Sequence, residues 1–328
     1  MSRRWIKLIS VVISLALLIV SCQEIRLNRG DKNQPVTIRL SGWGASLTEQ
    51  QLLQQVLDDF EASHSHIRVE LESIADQYMD VIKTRLIGDA APDVFYLDSL
   101  EAPFLMTQNV LEPLNEYIQP DFEIDDFEKN LLNTFSFQDK IYGLPKDYST
   151  LGLYYNKKAF SEAGISELPL TWEALRTVAK QLTIDQNQDS KPEQYGLGIN
   201  PELPRLAYLV QAFDSGIVDQ QGNAIFANQE GLSGLKAVVD QYQNDRTSAR
   251  ALDVGANSGS EMFGQEKAAM VFEGNWAIPF LQDTFPNLDF GTAELPTVNG
   301  KPGTMVFTVA YVMNRQTAHK QEAWDLIA

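Results

Sequence analysis

The chain has 328 residues, 44% of them apolar and 21% charged, the balance of a soluble globular protein long enough for two domains that each bury a core. Its formal charge of −18 repels nucleic acid and anionic lipid head groups, and no cluster of Lys and Arg offsets it, so nucleic-acid binding is set aside. Cys22 is the only cysteine, and His64, His66 and His319 are the only histidines, which excludes a disulfide framework, a thiolate metal site and a zinc centre built from these residues alone.

Residues 1 to 21 read as an export signal. Arg3, Arg4 and Lys7 give a basic start, and an apolar run of thirteen residues from Leu8 to Val20 follows, shorter than the ~20 residues of a bilayer span. The ending Ile19-Val20-Ser21-Cys22 resembles a bacterial lipobox, in which cleavage precedes the cysteine and the cysteine carries lipid. Lipid at Cys22 would tether the mature chain to a membrane without spanning it; a plain secretory signal with a chance cysteine is the alternative. Residues 22–35 are polar and aperiodic, as a tether should be.

Val36 to Leu40 is the first predicted strand, followed by Ser41-Gly42-Trp43-Gly44. A dinucleotide fingerprint fails because its third glycine would fall at Leu47. Trp43 stands at the carboxyl end of a strand, where open α/β sheets bind ligands, and packing under a loop is the equal alternative. Ser46 with Glu49 makes a capping box, and Leu52, Leu53, Val56, Leu57 and Phe60 give the next helix an apolar face. A strand over Ile67 to Leu71, a helix ending at Gly88 and a strand over Asp93 to Leu97 follow. Asp98 directly after that strand serves either to cap a helix or to accept a ligand hydroxyl.

The stretch Gly143 to Lys157 reads as a crossing between two compact units: Gly143 and Pro145 punctuate it, Lys146 to Thr150 is polar, and Leu151 to Tyr155 is a buried strand. Strands and amphipathic helices alternate on both sides, which predicts two α/β lobes with a ligand cleft between them. Residues 36–144 with 293–328 form the first lobe and 145–292 the second. In the second lobe Thr171 caps a helix carrying Trp172, Leu175, Val178, Ala179 and Leu182. Asp185, Asn187, Asp189 and Glu193 then fall at positions 1, 3, 5 and 9 of a calcium-loop register, but Ser190 replaces the glycine and Gly196 the bidentate glutamate, so a solvated turn is the default. Trp276 follows the strand Ala268 to Phe272, a second tryptophan just after a strand, and paired aromatic walls suit the apolar faces of sugar rings. Met305 to Met313 is a strand returning to the first lobe. The final helix carries Ala323, Trp324, Leu326 and Ile327 in need of cover, and the expectation is a truncated chain lacking the C-terminal part of the second lobe.

Several segments together, Ala90 to Asp98, Gly143-Leu-Pro with Leu153-Tyr-Tyr-Asn-Lys157, Leu170-Thr-Trp-Glu173, Lys267-Ala-Ala-Met with Gly-Asn-Trp276, and Leu295-Pro296, with the lipobox and Trp43, resemble the extracellular solute-binding proteins of carbohydrate ABC transporters, the family that includes maltose-binding protein. The resemblance implies two Rossmann-like lobes joined by a multi-crossing hinge, a periplasmic-binding-protein-like fold of type II. It also implies a monomer that closes on a sugar or oligosaccharide without catalysis or cofactor and hands it to membrane permease subunits. By position, Trp276 corresponds to the stacking aromatic of the second lobe, Asp98 to a hydroxyl-binding carboxylate, Asp147 and Tyr148 to the hinge-side wall, and Trp43 with Gly44 to the first-lobe loop. Two alternatives remain open. The same fold could take another cargo such as a glycerol phosphate or a polyamine, although Lys146 is the only obvious cation for an anionic one. A secreted glycosidase would need two placed carboxylates, and no nucleophile elbow or zinc helix occurs.

Overall fold

The computed structural model describes residues 34–328 except Ala45, Asp76, Ser190 and Gln220. The expected signal, Cys22 and most of the tether lie outside the described residues. The chain opens with β1 (Val36–Gly42), α1 (Leu47–Ser63), β2 (Ile67–Ser73), α2 (Tyr78–Ile87) and β3 (Val94–Asp98). β2 and β3 pair in parallel with opposite sides of β1, and α1 and α2 supply the crossovers that parallel neighbours need. Ser46 caps α1 by accepting the Glu49 N–H at 3.1 Å. The predicted apolar face of this helix is only partly used: Leu57 is buried, whereas Leu52 and Val56 are 57% and 63% exposed. These two border the cavity beside Trp43 instead of the core.

After α3 (Ala102–Thr107), α4 (Lys129–Thr134) and a short ribbon of β4 (Ser136–Phe137) with β5 (Lys140–Ile141), the chain enters β6 (Gly143–Thr150). β6 forms the edge of the first sheet, in the order β2-β1-β3-β12-β6, where β12 (Val306–Met313) is the returning strand. Residues 145–150, read from the sequence as second-lobe, therefore belong to the first sheet. Pro145 looked like punctuation, but an edge strand tolerates a residue with no N–H to donate, and this one lies at a bulge.

β7 (Gly152–Asn156) begins the second sheet, followed by α5 (Lys157–Glu162), α6 (Trp172–Leu182), β8 (Leu197–Gly198), α7 (Leu203–Ala212) and α8 (Gln229–Gln243). β9 (Ser248–Ala249), α9 (Gly259–Gly264), β10 (Met270–Glu273), α10 (Ala277–Thr284) and β11 (Phe290–Ala293) complete it, in the sheet order β11-β7-β10-β8-β9. The chain thus passes between sheets at Leu151 and returns over residues 294–305. The two crossings hold each other: Leu151 N–H donates to the Met305 carbonyl at 3.2 Å, and Thr304 Oγ1 donates to the Leu151 carbonyl at 2.8 Å.

Each lobe has its own core, centred on Ile38, Leu40, Ile82, Phe95 and Leu97 in the first and on Leu153, Leu175, Leu182 and Met270 in the second. Burying one such side chain contributes about 1.5–3 kcal/mol, so either core alone supplies a large driving force. The terminal α11 (Lys320–Ile327) packs on the first lobe, with Trp324 stacked 6.0 Å from Tyr117 and 5.4 Å from Phe122. Ala323, Trp324 and Ile327 are buried there, so the apolar face that wanted cover in the sequence has it.

The second lobe depends on a close helix contact. A Cβ at Gly234 of α8 would lie 2.7 Å from the Leu209 carbonyl carbon of α7, and nearer still to its oxygen, so the two backbones would have to separate. Alanine gains ~1 kcal/mol over glycine in helix propensity, while overpacking costs about 1–3 kcal/mol. Because the obstacle is backbone, Gly234→Ala is expected to lower the melting temperature in calorimetry by several degrees. An unchanged or raised melting temperature would contradict this packing.

Candidate ligand cleft

The candidate site is built where β3 and β6 flank β12. Val309 of β12 pairs with Asp98 on one side and with Asp147 on the other. Asp98 Oδ1 accepts the Leu100 N–H at 2.7 Å, so one oxygen is committed to the turn after β3. Burial raises the Asp98 carboxyl above its ordinary range; the Leu100 hydrogen bond opposes this, and the Glu101 and Asp147 carboxylates reinforce it.

β6 carries a bulge opposite Val309 and Ala310, which pair with Asp147 and Pro145 and leave Lys146 as the extra residue. The bulge re-aims both charged side chains. Asp147 Oδ1 accepts the Val309 N–H at 3.1 Å and its Oδ2 accepts from Lys146 Nζ at 2.6 Å. Lys146 Nζ also lies 4.8 Å from the centre of the Tyr96 ring, a cation–π contact. Tyr96 continues an edge-to-face chain of rings, 5.3 Å from Trp43 and 5.2 Å from Tyr311, with Trp43 a further 4.8 Å from Tyr78. Trp43, Gly44, Gln50, Ser73, Tyr96 and Lys146 line a cavity of about 230 Å³. Trp43 therefore answers to both sequence readings, packing on the core with one part and lining a cavity with another. Tyr148, next to Asp147, is 61% exposed.

The second lobe meets this wall through the end of β10. Asn275 N–H donates to Ser149 Oγ of β6 at 2.9 Å, and the Trp276 ring stands 5.7 Å from Phe307 of β12 at an interplanar angle of 89°. Trp276 Nε1 donates to Glu273 Oε2 at 2.9 Å. Beside it, Asn200, Arg205, Ser258, Glu273 and Phe280 border a cavity of about 280 Å³, and a larger one of about 600 Å³ opens where Leu151, Gly152, Asn275 and Thr304 surround the crossings.

A second cross-lobe contact closes the far side. Thr48 N–H, in the first turn of α1, donates to Asp283 Oδ2 of α10 at 3.2 Å. Hydrogen bonds from the Thr48 side chain, the Thr48 backbone and the Ser46 side chain hold the Asp283 carboxyl below its ordinary range. A carboxylate at a helix N-terminus is favoured by the orphan N–H groups and the helix dipole together.

Of the residues singled out in the sequence, Asp98 of β3 and Asp147 of the edge strand β6 flank Val309 of β12, Tyr148 follows Asp147 on β6, Trp43 and Gly44 line the adjoining cavity, and Trp276 abuts the first sheet through Phe307. The calcium register is organised otherwise. Asn187 Oδ1 accepts the Asp189 N–H, Asp189 Oδ1 the Lys191 N–H and Glu193 Oε2 the Gln186 N–H, all at 2.8–2.9 Å, so these oxygens hold a polar turn. Among the described residues no group of three or more His, Cys, Asp and Glu is placed to hold a metal ion. Sequence reasoning missed Ser149, Glu273 and Phe307, whose only local signal is position near a strand end, and Arg205, which lies in the first turn of α7 with no local signal at all.

A family model for bacterial extracellular solute-binding proteins matches residues 44–328. The Multiple sugar-binding protein of Streptococcus mutans is 22% identical over 334 residues, which cover 98% of this chain and 77% of that protein. Among solved structures, an ABC substrate-binding protein from Listeria monocytogenes in complex with cycloalternan superposes with a TM-score of 0.80 at 20% identity, covering 90% of this chain and 74% of that one. An ABC transporter solute-binding protein from Thermotoga lettingae bound with alpha-D-tagatose gives 0.78 at 25% identity, covering 90% and 76%.

The raised Asp98 pKa has a definite pH signature. A carboxyl whose folded pKa lies above its unfolded value of 3.8 contributes stability that is fully present below that value and lost as pH rises through the folded pKa. Asp98→Asn keeps an oxygen for the Leu100 N–H and leaves no charge to bury. The variant is expected to melt at a higher temperature than the parent at pH 7 and at the same temperature near pH 3. A lower melting temperature at pH 7 would show that the Asp98 carboxylate is stabilising there.

Proposed function

We propose that this chain, which belongs to the bacterial extracellular solute-binding protein family, captures a sugar or oligosaccharide in the cleft between its lobes and presents it to the permease of an ABC transporter. The observation that carries the reading is the register that sets two carboxylates, Asp98 and Asp147, on either side of Val309, with Trp276 of the second lobe brought against the same strand at Phe307 and the exposed Tyr148 ring next in the chain to Asp147. Carboxylates accept sugar hydroxyls, while Tyr148, Trp276 and the Trp43–Gly44 loop offer apolar faces. The sugar in the name of the Streptococcus mutans relative and the tagatose in the Thermotoga lettingae structure support the same cargo.

Charge favours a neutral ligand. Lys146 is paired with Asp147, and Arg205 with both Glu202 and Glu273, so the cations near the cleft are already matched by carboxylates. An anionic cargo would have to displace those partners. Catalysis has no comparable support: Asp98 and Asp147 lie on one wall instead of flanking a bond, and Asp147 is held by Lys146 and the Val309 N–H. The protein works as a monomer tethered by lipid on Cys22, with the polar segment after it as spacer.

Binding is coupled to closure about the two bonded crossings. Contacts to both walls exist only in the closed state, so ligand shifts the equilibrium toward it. In a thermal-shift and calorimetric screen of the chain from Gln23 onward, a neutral oligosaccharide is expected to raise the melting temperature by several degrees and to be recovered uncleaved. Trp276→Ala should abolish the rise. A folded protein that responds to no sugar, or that hydrolyses one, would overturn the reading.

The Asp283 contact tests closure separately. Asp283→Ala removes the acceptor at the start of α1 without touching the carboxylates or aromatics of the cleft. It is expected to enlarge the radius of gyration of the free protein in small-angle scattering and to weaken ligand affinity, with saturating ligand restoring the compact form. Identical scattering from variant and parent would mean the contact does not hold the lobes together.

A further inference from the structure

We propose that Glu273 is a positioning residue for ligand binding: its buried carboxylate sets the indole of Trp276 and the guanidinium of Arg205 as one preformed surface. The inference rests on the sugar-binding reading above. Only 2% of the Glu273 side chain is exposed, and a carboxylate so enclosed is costly unless donors surround it. Here three donors do so. Trp276 Nε1 and Arg205 Nη1 donate to Oε2 at 2.9 and 3.2 Å, and Asn200 Nδ2 donates to Oε1 at 3.0 Å.

Arg205 and Phe307 also hold the indole ring itself. The Arg205 guanidinium lies over the Trp276 ring, 5.4 Å from its centre, and Phe307 meets the ring at 5.7 Å edge to face. A Cβ at Gly274 would run into the indole and come within 2.5 Å of Ser149 Oγ, and one at Gly259 would come within 2.7 Å of Asn200 Nδ2 and closer to the carboxylate. A side chain at either position would therefore displace groups that hold the indole. An apolar residue at position 273 would fill the space at lower electrostatic cost, but it would leave the indole N–H without an acceptor and Arg205 without its partner. Holding both in place beforehand means a ligand does not have to order them on binding.

A merely structural role predicts that replacing Glu273 weakens folding and leaves Trp276 as it was; a positioning role predicts that the effect on ligand runs through Trp276. Glu273→Gln keeps the shape but offers one acceptor oxygen where two served three donors. Tryptophan quenching by acrylamide, taken as the difference between each protein and its Trp276→Phe counterpart, is expected to show Trp276 more accessible in Glu273→Gln without ligand. Oligosaccharide Kd should rise by about tenfold, the worth of one charge-assisted hydrogen bond. In the Trp276→Phe background the same Glu273→Gln change should have little effect on Kd, because interacting residues are not additive.

Equal losses in both backgrounds, or unchanged Trp276 quenching, overturn the proposal. Should the parent bind no oligosaccharide while Trp276 loosens in Glu273→Gln, the positioning role stands and the sugar reading falls. If Glu273→Gln does not fold, Asn200→Ala, which removes one donor from the same carboxylate, carries the same pair of measurements with a smaller expected change, and an unaltered Trp276 signal there again overturns the proposal.

Discussion

Most of this architecture depends on one strand, β12, being inserted antiparallel between β3 and β6. That pairing puts Asp98 and Asp147 opposite the same residue, Val309, although they are far apart in the chain. It also carries Phe307 to the face of the first lobe that Trp276 reaches. The return crossing that precedes β12 is bonded to the outgoing crossing at Leu151, so the same insertion makes the hinge. A parallel strand in that place would require a different crossover and could not arrive directly from the second lobe.

The electrostatics follow from that geometry. Burial raises the Asp98 pKa, and the Glu101 and Asp147 carboxylates brought near it add to the rise, which is a cost in stability at neutral pH. The bulge turns Lys146 toward Asp147 and Tyr96, so that Asp147 has a counter-ion beside it. A purely structural core would exclude clustered, partly desolvated carboxylates, which is why they are the ground of the proposed hydroxyl-binding role. The second lobe handles its buried acid differently. Glu273 is satisfied by three donors and no other carboxylate is placed against it in the contacts described, so it serves as a fixed anchor while Asp98 stays electrostatically stressed.

Legibility in the sequence tracked how local the cause was. The βαβ run, the caps at Ser46 and Thr171 and the tryptophans at strand ends are encoded within a few residues, and all were readable. The exposure of Leu52 and Val56 was not, because apolar periodicity cannot distinguish a core from the rim of a cavity. Pro145 and Thr150 misled for a related reason: edge position and bulge are properties of a pairing with β12, whose residues lie on the far side of the whole second lobe in the chain. Glu273 draws its donors from Asn200 and Arg205, 73 and 68 positions away, so nothing in the neighbourhood of Trp276 marks it as an anchor. The acidic turn at Asp185 shows the converse. Its spacing resembles a calcium loop without the glycine and the terminal glutamate, and Asn187 and Asp189 each accept a backbone N–H within the turn, an arrangement that spacing alone does not announce.

Both cross-lobe contacts of α10 belong to one short rigid body. Trp276 is the residue at its N-terminal boundary and Asp283 lies in its last turn. The first meets β12 through Phe307, and the second meets the start of α1. A group that repositions the indole therefore acts on the same eight-residue helix that carries the carboxylate. On the proposed reading, in which ligand meets Trp276 in the closed form, coupling between the two contacts is reciprocal: to the extent that the Asp283 contact favours closure and so binding, binding favours the Asp283 contact by the same factor. On that reading Asp283, bonded to the start of α1 and away from Asp98 and Asp147, bears on the affinity of the cleft without touching what the cleft holds.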